Sequence, residues 1–273
     1  NSRTTRKECT NLLLFVCNEI QLSLRFASVM AFCFQGKRAL VTGAGKGIGR
    51  DIAKALHKGK ANVVAVSRSQ ADLDSLKAEC PGLEAIAQDL SEWKKTKEAI
   101  GKLGHFDLLV NNAGVSRVGA FLDFKEEDLD YVFDTNFKSV FNVSQVVSRA
   151  MVDKGTGGSI VHISSTAAKA GLADHAAYCP TKAAVDSLMQ VMAVELGPKK
   201  IRVNCVNPTV VMTDMGREAW SDPAKAGPLL SRIPLGKFVE IEDVTNAVLF
   251  LLSDQAAMVN GTTLVVDGGL LCN

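Results

Sequence analysis

The sequence predicts an α/β protein, a seven-stranded parallel sheet with helices on both faces, and three observations carry that expectation. From Arg38 onward, short apolar runs alternate with stretches of helical periodicity. Runs such as Leu108-Leu109-Val110 are continuously hydrophobic rather than alternating, which suits parallel strands buried on both faces. The first run ends in Gly43-Ala44-Gly45-Lys46-Gly47-Ile48-Gly49, a glycine-rich turn that opens directly into a helical stretch. With 47% hydrophobic and 22% charged residues, the 273-residue chain can bury a core of ordinary size.

Taken in order, strands are expected at 38–42, 62–66, 83–87, 108–111, 159–164, 201–207 and 262–266. Helices are expected at 50–57, 70–79, 92–103, 126–151, 178–196 and 241–253. That alternation is the pattern of a doubly wound, Rossmann-type fold. No internal repeat or low-complexity linker divides it, so residues 30–273 are expected to form one domain. Residues 12–34 are fairly apolar, but Asn18, Glu19, Gln21 and Arg25 interrupt them. They leave no unbroken run of the roughly 18 residues that a membrane span needs. The basic start (Arg3, Arg6, Lys7) has the charge of a presequence, which Glu8 and Glu19 fit badly. Residues 1–29 are expected to be a non-native or dispensable extension, the functional chain starting near Met30.

The net charge of +2 comes from interspersed lysines, arginines and acids, so no basic stripe offers a nucleic-acid surface. Seven cysteines (Cys9, Cys17, Cys33, Cys80, Cys179, Cys205, Cys272) form no Cys-x-x-Cys pair, and no metal is called for. They suit free thiols in a reducing compartment, and the expected location is the cytoplasm, with membrane association or organelle targeting by residues 1–29 left open. Cys179 is expected to be a small buried hydrophobe.

The glycine turn has a mechanical reason. Gly43, Gly45, Gly47 and Gly49 permit a tight turn, let backbone N–H groups approach a pyrophosphate, and let the next helix pack close to its strand. The helix N-terminus then faces the phosphates with its partial positive charge. About 20 residues on, where a carboxylate would take the ribose 2′-hydroxyl of NAD, the chain has Ser67-Arg68. No carboxylate stands there to repel a 2′-phosphate, Lys46 lies inside the turn, and Arg68 can bind a phosphate bidentately. The expected cofactor is NADPH. The plainer reading leaves Lys46 and Arg68 as solvated charges.

A second cluster ends in Tyr178-Cys179-Pro180-Thr181-Lys182. A helix beginning at about Pro180 puts the phenol of Tyr178 and the ammonium of Lys182 on one face. Proline suits the first helical turn, where its missing N–H has no partner anyway. A cation beside a phenol favours phenolate, drawing its pKa down from about 10 toward proton transfer near neutrality. Tyr178 becomes a candidate general acid/base, although an isolated pair of this kind is commonly a surface contact.

Three separated motifs agree: Thr42-Gly43-x-x-x-Gly47-x-Gly49, Asn111-Asn112-Ala113-Gly114, and Ser165 thirteen residues before Tyr178-x-x-x-Lys182. Together they resemble the short-chain dehydrogenase/reductase family, from about Gln35 to the C-terminus. The resemblance implies a catalytic tetrad of Asn136, Ser165, Tyr178 and Lys182. In it Ser165 donates to a carbonyl oxygen, Tyr178 protonates the nascent alkoxide, Lys182 holds the ribose hydroxyls and keeps the phenol acidic, and Asn136 helps hold a water. It also implies cofactor contacts from Gly43, Gly45, Lys46, Gly47, Ile48 and Gly49 in the turn, and from Ser67 and Arg68 after the second strand. Asp89 and Leu90 would meet the adenine, and Asn112, Ala113 and Gly114 would border the ribose and nicotinamide. Tyr178 and Lys182 would also touch the cofactor, and Val211 and Thr213 would hold the carboxamide. Asp89 could instead cap the next helix.

The segments 43–50, 195–198, 207–213 and 233–238 resemble more narrowly the family's tetrameric reductases of small ketoses and α-dicarbonyls. The implied activity is reversible, NADPH-dependent hydride transfer to such a carbonyl, in carbohydrate metabolism, by a homotetramer. Apolar residues on more than one face of helices 126–151 and 178–196 (Val143, Val146, Val147; Val185, Leu188, Met189, Met192) offer a second molecule something to cover. His175 and Trp220 are the implied substrate contacts, alongside Ser165 and Tyr178. Trp220 lies in 212–238, a connection too long for a plain loop and rich enough in apolar residues to close over a substrate. His162, where the family often has Asn, Thr181 in place of the usual Ser, and Thr209 in place of the commoner Gly are departures that leave the tetrad intact. The competing readings are a reductase of another carbonyl class, a 3-ketoacyl thioester or hydroxysteroid, and a catalytically silent NADP-binding partner protein.

Overall fold

Strand β1 (Arg38–Thr42) sits between β2 (Asn62–Ser67) and β4 (Leu108–Asn111), and this placement makes the functional crevice. With β3 (Glu84–Ala87), β5 (Gly158–Ile163), β6 (Ile201–Pro208) and β7 (Thr263–Val266) the sheet runs β3-β2-β1-β4-β5-β6-β7. All neighbouring strands are parallel, Leu40 facing Val64 on one side and Leu109 on the other. The winding reverses between β1 and β4, so a cleft opens beyond their carboxyl ends. This computed structural model describes residues 32–273; the expected 1–29 extension and the start at Met30 lie outside the described residues. Residues Phe34–Asn273 form one compact unit.

The helices are α1 (Gly47–Lys58), α2 (Gln70–Glu79), α3 (Trp93–Gly101), α4 (Glu126–Phe133), α5 (Ser139–Lys154), α6 (Tyr178–Leu196), α7 (Asp214–Ala219), α8 (Pro223–Leu230) and α9 (Ile241–Leu252). Successive strand residues point to opposite faces. Leu40, Val64, Leu109, Ile160 and Val203 pack with Val143, Val147 and Met151 of α5 and Val185 and Met189 of α6. Their strand neighbours Ala39, Val41, Val63 and Val161 are equally buried, on the side where α1 and α9 pack together.

Three expectations need correction. The helix expected over 126–151 is α4, a π-helical turn Asp134–Lys138, and α5, which runs on to Lys154. The helix expected over 178–196 has those bounds in α6, and Pro180 is its third residue rather than its first, still within the turn whose N–H groups lack helical partners. Cys179 is half-buried, not buried. Val143, Val147, Val185, Met189 and Met192 are consumed by this chain's own core, because α5 and α6 lie between the sheet and each other. The exposed large apolar side chains on these helices are Phe141, Val191 and Val194 instead.

Candidate active site

The carboxyl end of β5 is stitched onto the first turns of α6. Lys182 is only 5% exposed, and its Nζ donates to the Ile163 carbonyl oxygen at 2.9 Å. Ser164 Oγ donates to the Lys182 carbonyl oxygen at 3.2 Å. One step further along, Asn207 Nδ2 donates both to the Ser165 carbonyl oxygen and to Asp186 Oδ2, each at 2.9 Å. Asp186 lies four residues after Lys182 on α6, so Tyr178, Lys182 and Asp186 follow one another along one helical stripe. Lys182 Nζ lies 5.5 Å from the centre of the Tyr178 ring. A buried ammonium is costly unless its protons find acceptors, and the Ile163 carbonyl supplies one.

Ser165 lies two residues beyond the same strand, capping the short turn Thr166–Ala168, and is half-buried. Its Oγ accepts the Ala167 N–H at 3.1 Å and contacts the Pro208 carbonyl oxygen only at 3.5 Å, so its own proton is weakly committed. One residue before Ile163, the fully buried His162 places Nδ1 3.0 Å from Asn111 Nδ2, which also donates to Ser144 Oγ at 2.9 Å. Burial, helped by the charge of Lys182, pushes the His162 imidazole down to about 3. It is neutral at ordinary pH.

Asn136 sits in the π-helical turn, a feature frequent at functional sites. Its Oδ1 accepts the Val115 N–H at 2.8 Å, and its Nδ2 donates to the Val115 carbonyl oxygen at 2.9 Å and to Thr181 Oγ1 at 3.2 Å. Thr181, fully buried, donates in turn to the Tyr178 carbonyl oxygen at 2.7 Å. Asn136 and Tyr178 are thus linked through one hydroxyl. Gly114 lies over this group: a Cβ there would stand 3.4 Å from Asn136 Oδ1 and 3.6 Å from Lys182 Nζ. The structure therefore brings Asn136, Gly114, Tyr178 and Lys182 together and ties Ser165 to them through Asn207 and Asp186.

The other end of the crevice is made of backbone. Gly43 has φ +65°, and a Cβ on it would come 2.8 Å from the Ala113 Cα; a Cβ on Gly45 would come 2.6 Å from Ser67 Oγ. A Cβ on Gly49 would strike the Gly43 carbonyl and the Asn112 amide. Asn112 does not reach outward: its Nδ2 donates to the Thr42 and Gly43 carbonyl oxygens, and its N–H and that of Ala113 donate to Thr42 Oγ1. The tips of β1 and β4 are locked to each other this way. α1 then starts at Lys46 with no side-chain cap and no acid in its first turn, and Ile48 is half-buried in it. The uncapped end of a 12-residue helix, behind a turn with glycine at 43, 45 and 47, fits a pyrophosphate, so these residues fit a dinucleotide.

At the end of β2, Arg68 is exposed and donates from Nη1 to Tyr131 Oη at 2.9 Å. Lys46 lies 3.6 Å from Asp72 Oδ1 rather than standing alone. Asp89 Oδ1 accepts from the N–H and hydroxyl of Ser91, a local turn, while the Leu90 side chain lies in the core. Val211 forms a bridge to Val239, and Thr213 caps α7 by accepting the Gly216 N–H at 3.1 Å. Thr213 also reaches the glycine turn, since a Cβ on Gly47 would lie 3.2 Å from its Cγ2.

His175 stands edge-on to Tyr178 with ring centres 6.0 Å apart. Its Nδ1 lies 2.7 Å from the Ala173 carbonyl oxygen, which makes Nδ1 the donor and leaves Nε2 as the acceptor nitrogen. Trp220 instead packs 5.5 Å from the Phe238 ring with Lys225 Nζ 4.9 Å above it, in an apolar cluster with Ile233 and Leu270. No ring contact joins it to Tyr178 among the described residues. The expected long connection is therefore α7 and α8 folded over their own small core.

Sequence reasoning gave no place to Asp186 or Tyr131, named Asn207 only as the start of the 207–213 segment and not for its tie to Ser165 and Asp186, and noted Thr181 only as a replacement. Asp186 had a signal in its spacing of four from Lys182. Asn207 and Tyr131 had none, their partners being 42 and 63 residues away. No helix among the described residues is long and apolar enough to cross a membrane.

A family model described as enoyl-(acyl carrier protein) reductase matches residues 43–271. L-xylulose reductase of Bos taurus is 58% identical over 236 residues, 86% of this chain and 97% of the relative. D-erythrulose reductase of Gallus gallus is 57% identical over 238 residues, 87% of this chain and 97% of the relative. A gluconate 5-dehydrogenase from Burkholderia cenocepacia, in complex with NADP and tartrate, superposes with a TM-score of 0.84 at 31% identity, covering 90% of this chain and 99% of that one. The glycine turn, the stitched β5–α6 corner and a match over nearly all the described fold lead to one assignment: this chain belongs to the short-chain dehydrogenase/reductase family of oxidoreductases.

Proposed function

We propose that this chain reduces the carbonyl of a small ketose, L-xylulose to xylitol being the type case, or of an α-dicarbonyl, reversibly and with NADPH. The observation that carries the reading is the buried Lys182 ammonium beside the Tyr178 ring, under the open face of Gly114. The similarity to reductases of L-xylulose and D-erythrulose supports the substrate class. The NADP in the gluconate 5-dehydrogenase complex, together with Arg68 at the end of β2, supports the cofactor.

NADPH supplies the hydride that the carbonyl carbon accepts. Everything else falls to side chains. Charge builds on the carbonyl oxygen, which needs donors placed beforehand and a proton at the end. Ser165 Oγ, whose hydrogen meets only a long contact to Pro208, turns it to that oxygen. Tyr178 Oη gives the proton that completes the alcohol. Lys182, held by Ile163, would hold the ribose hydroxyls and pass a proton taken up from solvent back to the Tyr178 phenolate, and Asn136 fixes Val115 and Thr181 around the path. His175, with Nδ1 committed to Ala173, offers Nε2 as an acceptor for a substrate hydroxyl. The 212–238 unit, built on the packing of Trp220 against Phe238, lies after β6 as the cover for the far side of the substrate.

A homotetramer, with Phe141, Val191 and Val194 covered by neighbouring copies, completes the reading, as does a cytoplasmic location. The test is a panel of L-xylulose, D-erythrulose, diacetyl and a 3-ketoacyl thioester with NADPH and NADH, using chains starting at Asn1 and at Met30. Ketose or dicarbonyl turnover with NADPH by both versions is the expected result. Preference for the thioester, or for NADH, overturns the reading, and sedimentation as a monomer overturns the assembly.

A further inference from the structure

We propose that Tyr131 is a specificity-determining positioning residue, which holds the Arg68 guanidinium ready for the 2′-phosphate of the cofactor; this rests on the NADPH reading above. Arg68 leaves the end of β2 on a long side chain with many rotamers, and an arginine loose in water must be ordered when it binds. Its Nη1 donates to Tyr131 Oη at 2.9 Å, the one hydrogen bond of this guanidinium among the described residues. A guanidinium has five N–H donors in a planar fork, so one is spent on the tether and four remain.

The chemistry of the tether is what points to a phosphate. The neighbouring cations are neutralised by carboxylates: Lys46 by Asp72 at 3.6 Å, Arg50 and Lys54 by Glu79 at 2.6 and 2.5 Å. Arg68 is held by a neutral phenol, which fixes the fork in place without cancelling its charge or repelling an incoming dianion. Tyr131 is itself fixed. It rides on α4 next to the fully buried Val132, and the Arg117 guanidinium lies 5.0 Å from its ring centre, tied 3.3 Å from Asp128. Arg117 thus braces the ring while its own charge is met by Asp128.

The effect of Tyr131 should therefore be confined to ligands carrying the 2′-phosphate. The test is calorimetric titration of the whole chain, wild type, Tyr131→Phe and Arg68→Ala, with 2′,5′-ADP and with 5′-AMP. Tyr131→Phe keeps the ring under Arg117 and removes only the acceptor oxygen. It is expected to weaken 2′,5′-ADP binding about three- to tenfold, the size of one ordinary hydrogen bond, because the tether orders Arg68 without itself touching the ligand. Binding of 5′-AMP and the thermal midpoint should stay as in wild type, and KM for NADPH should rise while kcat does not fall. Arg68→Ala should weaken 2′,5′-ADP by more. If wild type does not prefer 2′,5′-ADP over 5′-AMP, the NADPH reading itself fails. If wild type and Arg68→Ala show the preference and its loss, but Tyr131→Phe binds 2′,5′-ADP as tightly as wild type or more so, the NADPH reading stands and the role of Tyr131 is overturned.

Discussion

The two ends of the crevice are built by opposite means. At the β1 tip the site is made by atoms that are missing: Gly43, Gly45 and Gly49 leave room that a single methyl group would fill, and the backbone does the work. At the β5 tip it is made by side chains that are present, packed out of water and tied in a row from Asn136 through Thr181 to Tyr178 and from Lys182 to Ile163. Substitutions should accordingly fail in different ways. At the tyrosine end, removing atoms should cost chemistry; at the glycine end, adding them should cost binding.

The largest effect is expected from Tyr178→Phe, which deletes one oxygen and leaves the ring beside Lys182. General acid catalysis contributes about 10²- to 10⁴-fold, so kcat should fall by about that factor while 2′,5′-ADP binding measured by calorimetry is unchanged. A mutant that kept activity, or lost the nucleotide as well, would erase the distinction between the two ends.

Gly43→Ala probes the other side of the comparison. Its φ of +65° disfavours any side chain, and the clash is with backbone, the Ala113 Cα at 2.8 Å, which cannot swing away. The expected outcome is a loss of about 2–4 kcal/mol in unfolding free energy and at least about tenfold weaker 2′,5′-ADP binding. Gly82→Ala is the matched control. Its φ is +89° but nothing lies within 4 Å, so it should cost only about 1 kcal/mol by denaturant titration and leave binding alone.

Asn136→Ala tests whether the tyrosine end is a connected unit. It leaves the N–H and carbonyl of Val115 and the Thr181 hydroxyl without their partner. About 2–3 kcal/mol of stability should go, with a fall in kcat larger than the rise in KM. Thr181→Ser keeps the bridging hydroxyl and should be nearly silent, whereas Thr181→Ala should reproduce part of the Asn136→Ala defect.

Much of this arrangement could be read before any coordinates, and the parts that could not share a cause. The seven strands fall within a residue or so of expectation at each end, because runs buried on both faces announce themselves without alternation. The π-helical turn at Asn136 escaped because its five residues, Asp134–Lys138, remain helical and break no hydrophobic period. Only the poor helix propensity of asparagine hinted at it. The apolar faces of α5 and α6 were misassigned to a partner because a hydrophobic pattern does not say which surface buries it. The Asn112 amide holds Thr42 and Gly43, about seventy residues earlier in the chain, a pairing that no local pattern encodes.

His162 gives an effect confined to low pH and the sharpest test of how dry the tyrosine end is. Its imidazole is fully buried, hydrogen-bonded at Nδ1 to Asn111, and pushed by burial and the Lys182 charge down to about 3. An unfolded histidine titrates near 6.5. Between those values the unfolded chain binds a proton that the folded chain refuses, so stability falls as pH drops below 6.5 toward 3 and is intact above 6.5. At pH 5 the loss from this one group is about 2 kcal/mol. His162→Asn has no proton to take up, so its unfolding free energy should fall less than that of wild type between pH 7 and pH 5, by about that amount. Shared carboxylates such as Glu79 titrate alike in both proteins and cancel in the difference. Any fixed offset from the altered contact with Asn111 is independent of pH, so the slope alone reports on the imidazole. Equal slopes would mean that His162 is protonated in place, that water reaches the tip of β5, and that the side chains tied together there are not sealed from solvent.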